Sequence, residues 1–187
     1  DEEILREGIK QLVEAPLSIE HIPDFSILEI ERIIRRHVRE NKVNYVMFDY
    51  IHISMKLLAE ISQVTNGMKL REDQILFMLS SKLKDLANEL GIFIESATQL
   101  NGAWEEAEEI NQNLLRGSKA IADRIDVGMI GMKARGVDEE IIANFVSAGY
   151  PEPNYVLHFY KVRRGKYAGT RLWCHADLGT SRIKGLF

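Results

Sequence analysis

The sequence predicts an α/β fold: a mainly parallel sheet flanked by helices, followed by a β-hairpin near the carboxyl end. Three observations predict it. Tyr45-Val-Met-Phe-Asp49-Tyr-Ile-His-Ile53 is an apolar run holding one carboxylate, the pattern of a parallel strand covered on both faces. Strand-like and helix-like stretches alternate from Leu17 to Thr98, the order that builds βαβ units with right-handed crossovers. Tyr155-Val-Leu-His-Phe-Tyr160 and Thr170-Arg-Leu-Trp-Cys-His175 alternate like the arms of a hairpin around Lys161-Val-Arg-Arg-Gly-Lys166.

Taken in order, Glu2 to Glu14 places Ile4, Leu5, Ile9, Leu12 and Val13 on one face, an amphipathic helix that stops near Ala15-Pro16. Leu17-Ser-Ile-Glu20 reads as a short strand. Ser26-Ile-Leu-Glu29 has capping-box spacing, so a helix starts there, with Ile27, Ile30, Ile34 and Val38 as its buried stripe. Arg32, Arg35, Arg36 and Arg39 lie elsewhere on its surface and read as a solvated face, an interaction surface being the other reading. After the Tyr45–Ile53 strand, a helix-like piece runs to Gln63 and breaks at Thr65-Asn-Gly67. A long helix spans Arg71 to Leu90, with Gly91 placed to cap it. Ile92 to Thr98 is the next strand, and Gln99-Leu-Asn101 sits at its carboxyl end. Gly102 to Leu115 has no clear buried face and is either a loop or a frayed helix. Leu115 to Asp126 runs from a Gly-Ser turn into a short helix, Val127 to Gly131 is another strand, and Ala134 to Ala148 is partly helical.

The 187 residues suit a single domain with a sizeable core. Starting at Asp1 in mid-helix, the chain reads as a piece of something longer. A net charge of −4 argues against a generic polyanion binder, so any nucleic-acid contact must be local. Cys174 is the single cysteine, which excludes an internal disulfide framework and fits a reducing, cytoplasmic setting. No apolar run is long enough to span a bilayer.

An aspartate at the carboxyl end of a buried strand is costly unless it serves a cation or a bound partner. On the strand alone, an aspartate capping the next turn explains Asp49 equally well. Ligands of open α/β sheets gather outside the carboxyl ends of the strands, so Asp49 and Gln99 share a crevice if their strands are neighbours. Other common sites are absent. The Gly165-Lys166 pair lacks the remaining residues of a G-x-x-x-x-G-K-S/T loop, and neither G-x-G-x-x-G nor G-x-S-x-G occurs. The histidines are scattered, and Cys174-His175 lacks metal-site spacing.

The ordered motifs Leu12-Val-Glu-Ala-Pro-Leu-Ser-Ile-Glu20, Val46-Met-Phe-Asp49-Tyr50, Leu83-Lys-Asp-Leu-Ala-Asn-Glu-Leu90, Thr98-Gln-Leu-Asn101, Leu115-Arg-Gly-Ser118 and Lys161-Val-Arg163 resemble those of the RecA-like motor domain of DnaB-type replicative helicases. The resemblance runs from about Leu12 to the end and implies a RecA-like P-loop NTPase core. Residues 1–187 then form one partial motor domain, from the Walker B strand to the arginine-finger hairpin. The resemblance implies ATP as substrate, Mg²⁺ as cofactor, single-stranded DNA as track, a hexameric ring, and primase and a helicase loader as partners. Asp49 is similar to the Walker B aspartate, which holds magnesium through water. Gln99 matches the family's γ-phosphate sensor, where a neutral amide can both donate and accept. Lys161 and Arg163 match the basic pair that reaches the neighbouring subunit's nucleotide, with Arg163 as the arginine finger. Arg164 and Lys166 lend electrostatic support.

By the same resemblance, DNA contacts fall on Arg116, Gly117, Ser118 and Lys119, and on the stretch near Lys69 and Arg71. A surface arginine pairing with the upstream glutamates is the other reading of Arg116, since Glu105 to Glu109 is an awkward neighbour for DNA. The family's Walker A loop and water-activating glutamate have no counterpart among these residues, so this piece alone is expected to be inactive. Two alternatives remain: a recombinase-like or other RecA-like ATPase without the finger arrangement, and a degenerate paralogue that only binds DNA or a helicase partner.

Overall fold

Two apolar clusters organise the chain, and one short helix contributes to both. The computed structural model describes residues 2–104, 107, 109–115, 119–134 and 136–186, and the side chains of Ala103, Lys119, Ala120 and Val137 are not included. In order, the elements are α1 (Glu2–Glu14), α2 (Ile27–Asn41), β1 (Tyr45–Phe48), α3 (Met55–Val64), α4 (Glu72–Leu90), β2 (Phe93–Ser96), α5 (Lys119–Ala122), β3 (Val127–Lys133), α6 (Glu139–Ser147), β4 (Tyr155–Val162), β5 (Arg171–Asp177) and β6 (Arg182–Gly185). The order β1-β2 forms a parallel pair, and β3-β4-β5-β6 forms an antiparallel sheet.

The first cluster joins Ile30 and Ile34 of α2, Leu57 and Ile61 of α3, and Ile75, Leu76, Leu79, Leu83 and Leu86 of α4, with Phe25, Ile51 and Ile121. Val46 and Phe48 of β1 and Ile94 of β2 pack against it. Tyr45, Met47 and Phe93 point the other way and are exposed. Among the described residues, the parallel pair is therefore covered on one face, not on both as its apolar run predicts. The second cluster holds Ile110, Leu114, Leu115, Ala122, Ile130, Met132, Val156 and Trp173.

Local chemistry sets the helix ends. Ser26 Oγ accepts from the Glu29 amide at 3.1 Å, as the capping box predicts, but the Glu29 carboxylate turns to Lys56 at 3.1 Å. The amides of Ile27 and Leu28 donate instead to the Glu60 carboxylate of α3, at 2.6 and 3.1 Å. One carboxylate thus serves two orphan donors and pins two helices together. Gly91 takes φ 64° after α4, a left-handed cap that glycine adopts without steric cost.

The strand expected at Leu17–Glu20 does not form. Leu17 and Ile19 are exposed, and no neighbouring strand meets them among the described residues. The predicted hairpin is part of a larger sheet, because β3 pairs with β4 and β6 with β5. Glycine explains the first pairing: Gly128 lies under the ring of Tyr160 and Gly131 under that of Tyr155, so a methyl group at either would overlap the aromatic side chain.

Candidate functional site

β1 and β2 are parallel neighbours in register from Tyr45 opposite Phe93 to Phe48 opposite Ser96. Their carboxyl ends therefore coincide. The pairing continues past the strands: Ser96 Oγ donates to Phe48 O at 2.5 Å and the Ile51 amide to Ala97 O at 2.9 Å. Asp49 follows β1 directly and is exposed. Beyond it, Tyr50, Ile51, His52 and Ile53 line a crevice of about 310 Å³ together with Thr98, Gln99 and, from the start of α4, Glu72 and Leu76. That volume lies at the lower end of ligand sites. The structure thus brings Gln99 together with the residues that follow Asp49, while Asp49 sits at the strand tip beside them.

Sequence reasoning missed three polar lining residues: His52, Glu72 and Thr98. His52 Nδ1 donates to Tyr50 O at 2.8 Å, which fixes the tautomer, and its ring packs edge-on against Phe25 with centroids 4.9 Å apart. Its position three residues past Asp49 was the available signal. Glu72 carried none, because only the fold brings α4 to the crevice. Among the described residues, no cluster of three or more histidine, cysteine or acidic side chains could hold a metal ion. A lone exposed carboxylate suits magnesium that keeps its waters and binds mostly through phosphate oxygens.

The segment after Gln99 closes on itself. Leu100 and Leu115 form an antiparallel bridge, the Asn101 amide donates to Leu114 O at 2.7 Å, and Asn101 Nδ2 donates to Asn113 O at 2.7 Å. Gly102–Trp104 and Gln112–Leu114 are single 3₁₀ turns, so this stretch is a loop. Gln99 directly precedes the bridged Leu100 in the chain. Arg116, Gly117 and Ser118 fall outside the described residues, and Lys119 begins α5. Lys69 is exposed before α4. Arg71 caps α4, its amide donating to Gln74 Oε1 at 2.9 Å, and its guanidinium meets Asp73 at 2.7 Å. That carboxylate raises the Arg71 pKa above its ordinary value.

Lys161 lies within β4 and Arg163 just past its end. Neither lines the crevice. Lys161 Nζ donates to Ala122 O, Arg163 Nη2 donates to Asp123 O at 2.8 Å, and Arg163 Nη1 is 3.6 Å from the Asp126 carboxylate. Burial, and then the charge of Arg163, push the Lys161 ammonium below its ordinary range. Lys84 of α4 grips Asp126, and this contact, with a lesser contribution from Arg163, lowers its carboxyl pKa. Arg164 and Lys166 are exposed in the turn.

Comparison with known proteins decides the family. A family description, the DnaB-like helicase C terminal domain, matches residues 1–177. The chain belongs to that family. As a DnaB-like C-terminal domain it shares 43% identity over 192 residues with the SPbeta prophage-derived uncharacterized protein YorI of Bacillus subtilis (strain 168), covering 100% of this chain and 38% of the relative. It shares 30% identity over 129 residues with the replicative DNA helicase DnaB of Treponema pallidum (strain Nichols), covering 69% of this chain and 27% of that protein. Among solved structures, an ATPase domain superposes with a TM-score of 0.69 at 16% identity, covering 98% of this chain and 59% of that one. A DnaB-like replicative helicase, solved in a study of its interactions with primase, superposes with a TM-score of 0.66 at 16% identity over 93% and 38%. At such identities the likeness concerns the fold, which is the RecA-like α/β core of DnaB-like ATPase domains. The chain spans 38% of the prophage relative's length.

Proposed function

We propose that this DnaB-like domain is part of the motor of an ATP-dependent, ring-forming replicative helicase that moves on single-stranded DNA. The observation that carries this reading is the coincidence of the β1 and β2 tips, with Asp49 at one and Gln99 in the crevice beside the other. Asp49 would hold Mg²⁺ through water on the nucleotide phosphates, where the ion would neutralise charge on phosphate oxygens. The Gln99 amide donates to a phosphate oxygen and accepts from water, so it distinguishes triphosphate from diphosphate. Leu100, next to Gln99 in the chain, is bridged to Leu115, the residue that precedes the proposed DNA loop in the sequence.

Lys161 and Arg163 act on the nucleotide of the adjacent subunit, Arg163 stabilising charge that spreads over the departing phosphoryl group. Arg116, Gly117, Ser118 and Lys119, with Lys69 and Arg71, grip the DNA backbone by charge and close amide approach, without reading sequence. The ring is hexameric, works in the cytoplasm, and meets primase and a loader during replication.

The test uses the complete protein. Binding of a fluorescent ATP analogue is titrated with and without Mg²⁺ in wild type, Asp49→Asn and Gln99→Ala. The reading expects Asp49→Asn to abolish the magnesium-dependent gain in affinity. It expects Gln99→Ala to leave ADP binding unchanged while lowering single-stranded-DNA-stimulated turnover. An Asp49→Asn variant with undiminished magnesium dependence contradicts the reading.

A further inference from the structure

The basic pair at the end of β4 is engaged within its own chain, and its partners are specific. Residues 119–126 make a compact node between the two apolar clusters: Ile121 is buried in the first and Ala122 in the second. On one side the node is fixed to α4, through Arg124 stacked 4.8 Å over the Phe77 ring and through Lys84 on Asp126. On the other side it is fixed to β4. Lys161 donates to Ala122 O, Arg163 Nη2 to Asp123 O at 2.8 Å, and the Arg163 amide to Asp126 O at 2.8 Å. The first two acceptors are at the carboxyl end of α5, where helix carbonyls lack internal partners and carry partial negative charge. The pair therefore caps the short helix that begins at the residue after Ser118.

We infer that Asp126 is a positioning residue for the basic pair and that the node is its docking place, so that engaging a triphosphate and capping α5 are alternatives. This inference rests on the proposed role of Arg163 at the neighbouring subunit's nucleotide. Among the described residues, the side-chain contacts that hold Arg163 are a neutral carbonyl and a carboxylate at 3.6 Å, longer than a hydrogen bond. A phosphate oxygen is a charged acceptor, and charge-assisted hydrogen bonds are roughly twice as strong as neutral ones. The guanidinium can thus exchange one set of partners for the other, while its amide on Asp126 O keeps the strand end in register. Exchange leaves Asp123 O uncapped at the end of the helix that follows the proposed DNA loop. Nucleotide at the interface and DNA in the loop are then linked through the node, and linkage is reciprocal.

The experiment measures affinity of the complete protein for a labelled oligo-dT, with and without a non-hydrolysable ATP analogue, alongside steady-state turnover. Wild type is expected to change DNA affinity by roughly fivefold or more on analogue binding, and Asp126→Asn to bring that ratio within about twofold of unity. Because docking competes with engagement, Asp126→Asn is also expected to raise kcat modestly with little change in nucleotide Kd, and Asp126→Glu to restore part of both effects. Combining Asp126→Asn with Arg163→Ala is expected to give the Arg163→Ala ratio, because one acts through the other. If Asp126→Asn does not fold, Lys84→Met leaves the same carboxylate to Arg163, strengthens the dock, and is expected to lower kcat with little change in nucleotide Kd. Normal turnover in Arg163→Ala overturns the finger reading itself. Lost turnover in Arg163→Ala combined with a wild-type ratio in Asp126→Asn or, where that variant does not fold, with wild-type turnover in Lys84→Met overturns the docking inference alone, as does a wild type without coupling.

Discussion

Arg163 is the proposed carrier of charge at the nucleotide, and among the described residues its guanidinium meets the Asp123 carbonyl and the Asp126 carboxylate. Arg163→Ala in the complete protein is expected to lower kcat on the order of 10³-fold or more, in line with arginine fingers elsewhere, while nucleotide Kd changes little. Steady-state turnover beside equilibrium binding checks this; loss of binding in proportion to turnover would point to a structural role instead. Asp126 offers a second test through pH. Its pKa is lowered, chiefly by Lys84, so its contribution to stability is present at neutral pH and is lost as pH falls through and below the usual aspartate range, about pH 4. The Tm difference between wild type and Asp126→Asn is expected to be largest near pH 7 and to shrink on acidification toward pH 3. A difference independent of pH would remove the carboxylate's charge from the account.

At the scale of elements, side chains from other parts of the chain decide details that local pattern leaves open. Ser26→Ala is expected to cost about 1 kcal/mol, the usual value of an N-cap. Glu60→Ala, although it lies in α3, is expected to weaken α2 comparably, because two amides of α2 lose their acceptor. Urea denaturation of both variants checks this, and a neutral Glu60→Ala would sink it. Gly131→Ala is expected to destabilise by about 1–3 kcal/mol through overlap with the Tyr155 ring, with part recovered in combination with Tyr155→Phe, since the hydroxyl is the nearest atom. These cases also show what was legible beforehand. The limits of α2 and α4 could be read from Ser26 and Gly91 because caps are local. The partner of Glu29, the role of Glu60, the pairing of β6 and the failure of Leu17–Glu20 to form a strand all depend on contacts far apart in sequence. Of the candidate site, Asp49 beside the crevice and Gln99 within it could be read as acid and amide at successive strand ends, whereas Glu72 arrives only through the packing of α4 on the first cluster.

At the scale of the whole molecule, two clusters share the work. The first holds the strand tips and the crevice, the second holds the antiparallel sheet and the basic pair, and residues 119–126 touch both. The helix predicted at the start forms as α1, yet Ile4, Leu5, Ile9, Leu12 and Val13 are 60–78% exposed, so amphipathic pattern foretold the helix without a covering partner among the described residues. The central claim is that one subunit supplies Asp49 and Gln99 to a nucleotide and the next supplies Lys161 and Arg163. Mixing the complete Asp49→Asn and Arg163→Ala proteins, each expected to be inactive alone, tests it directly, because mixed rings contain some interfaces with both sides intact. Turnover recovered on mixing is the predicted result; a mixture as inactive as its parents, despite subunit exchange, would contradict the account.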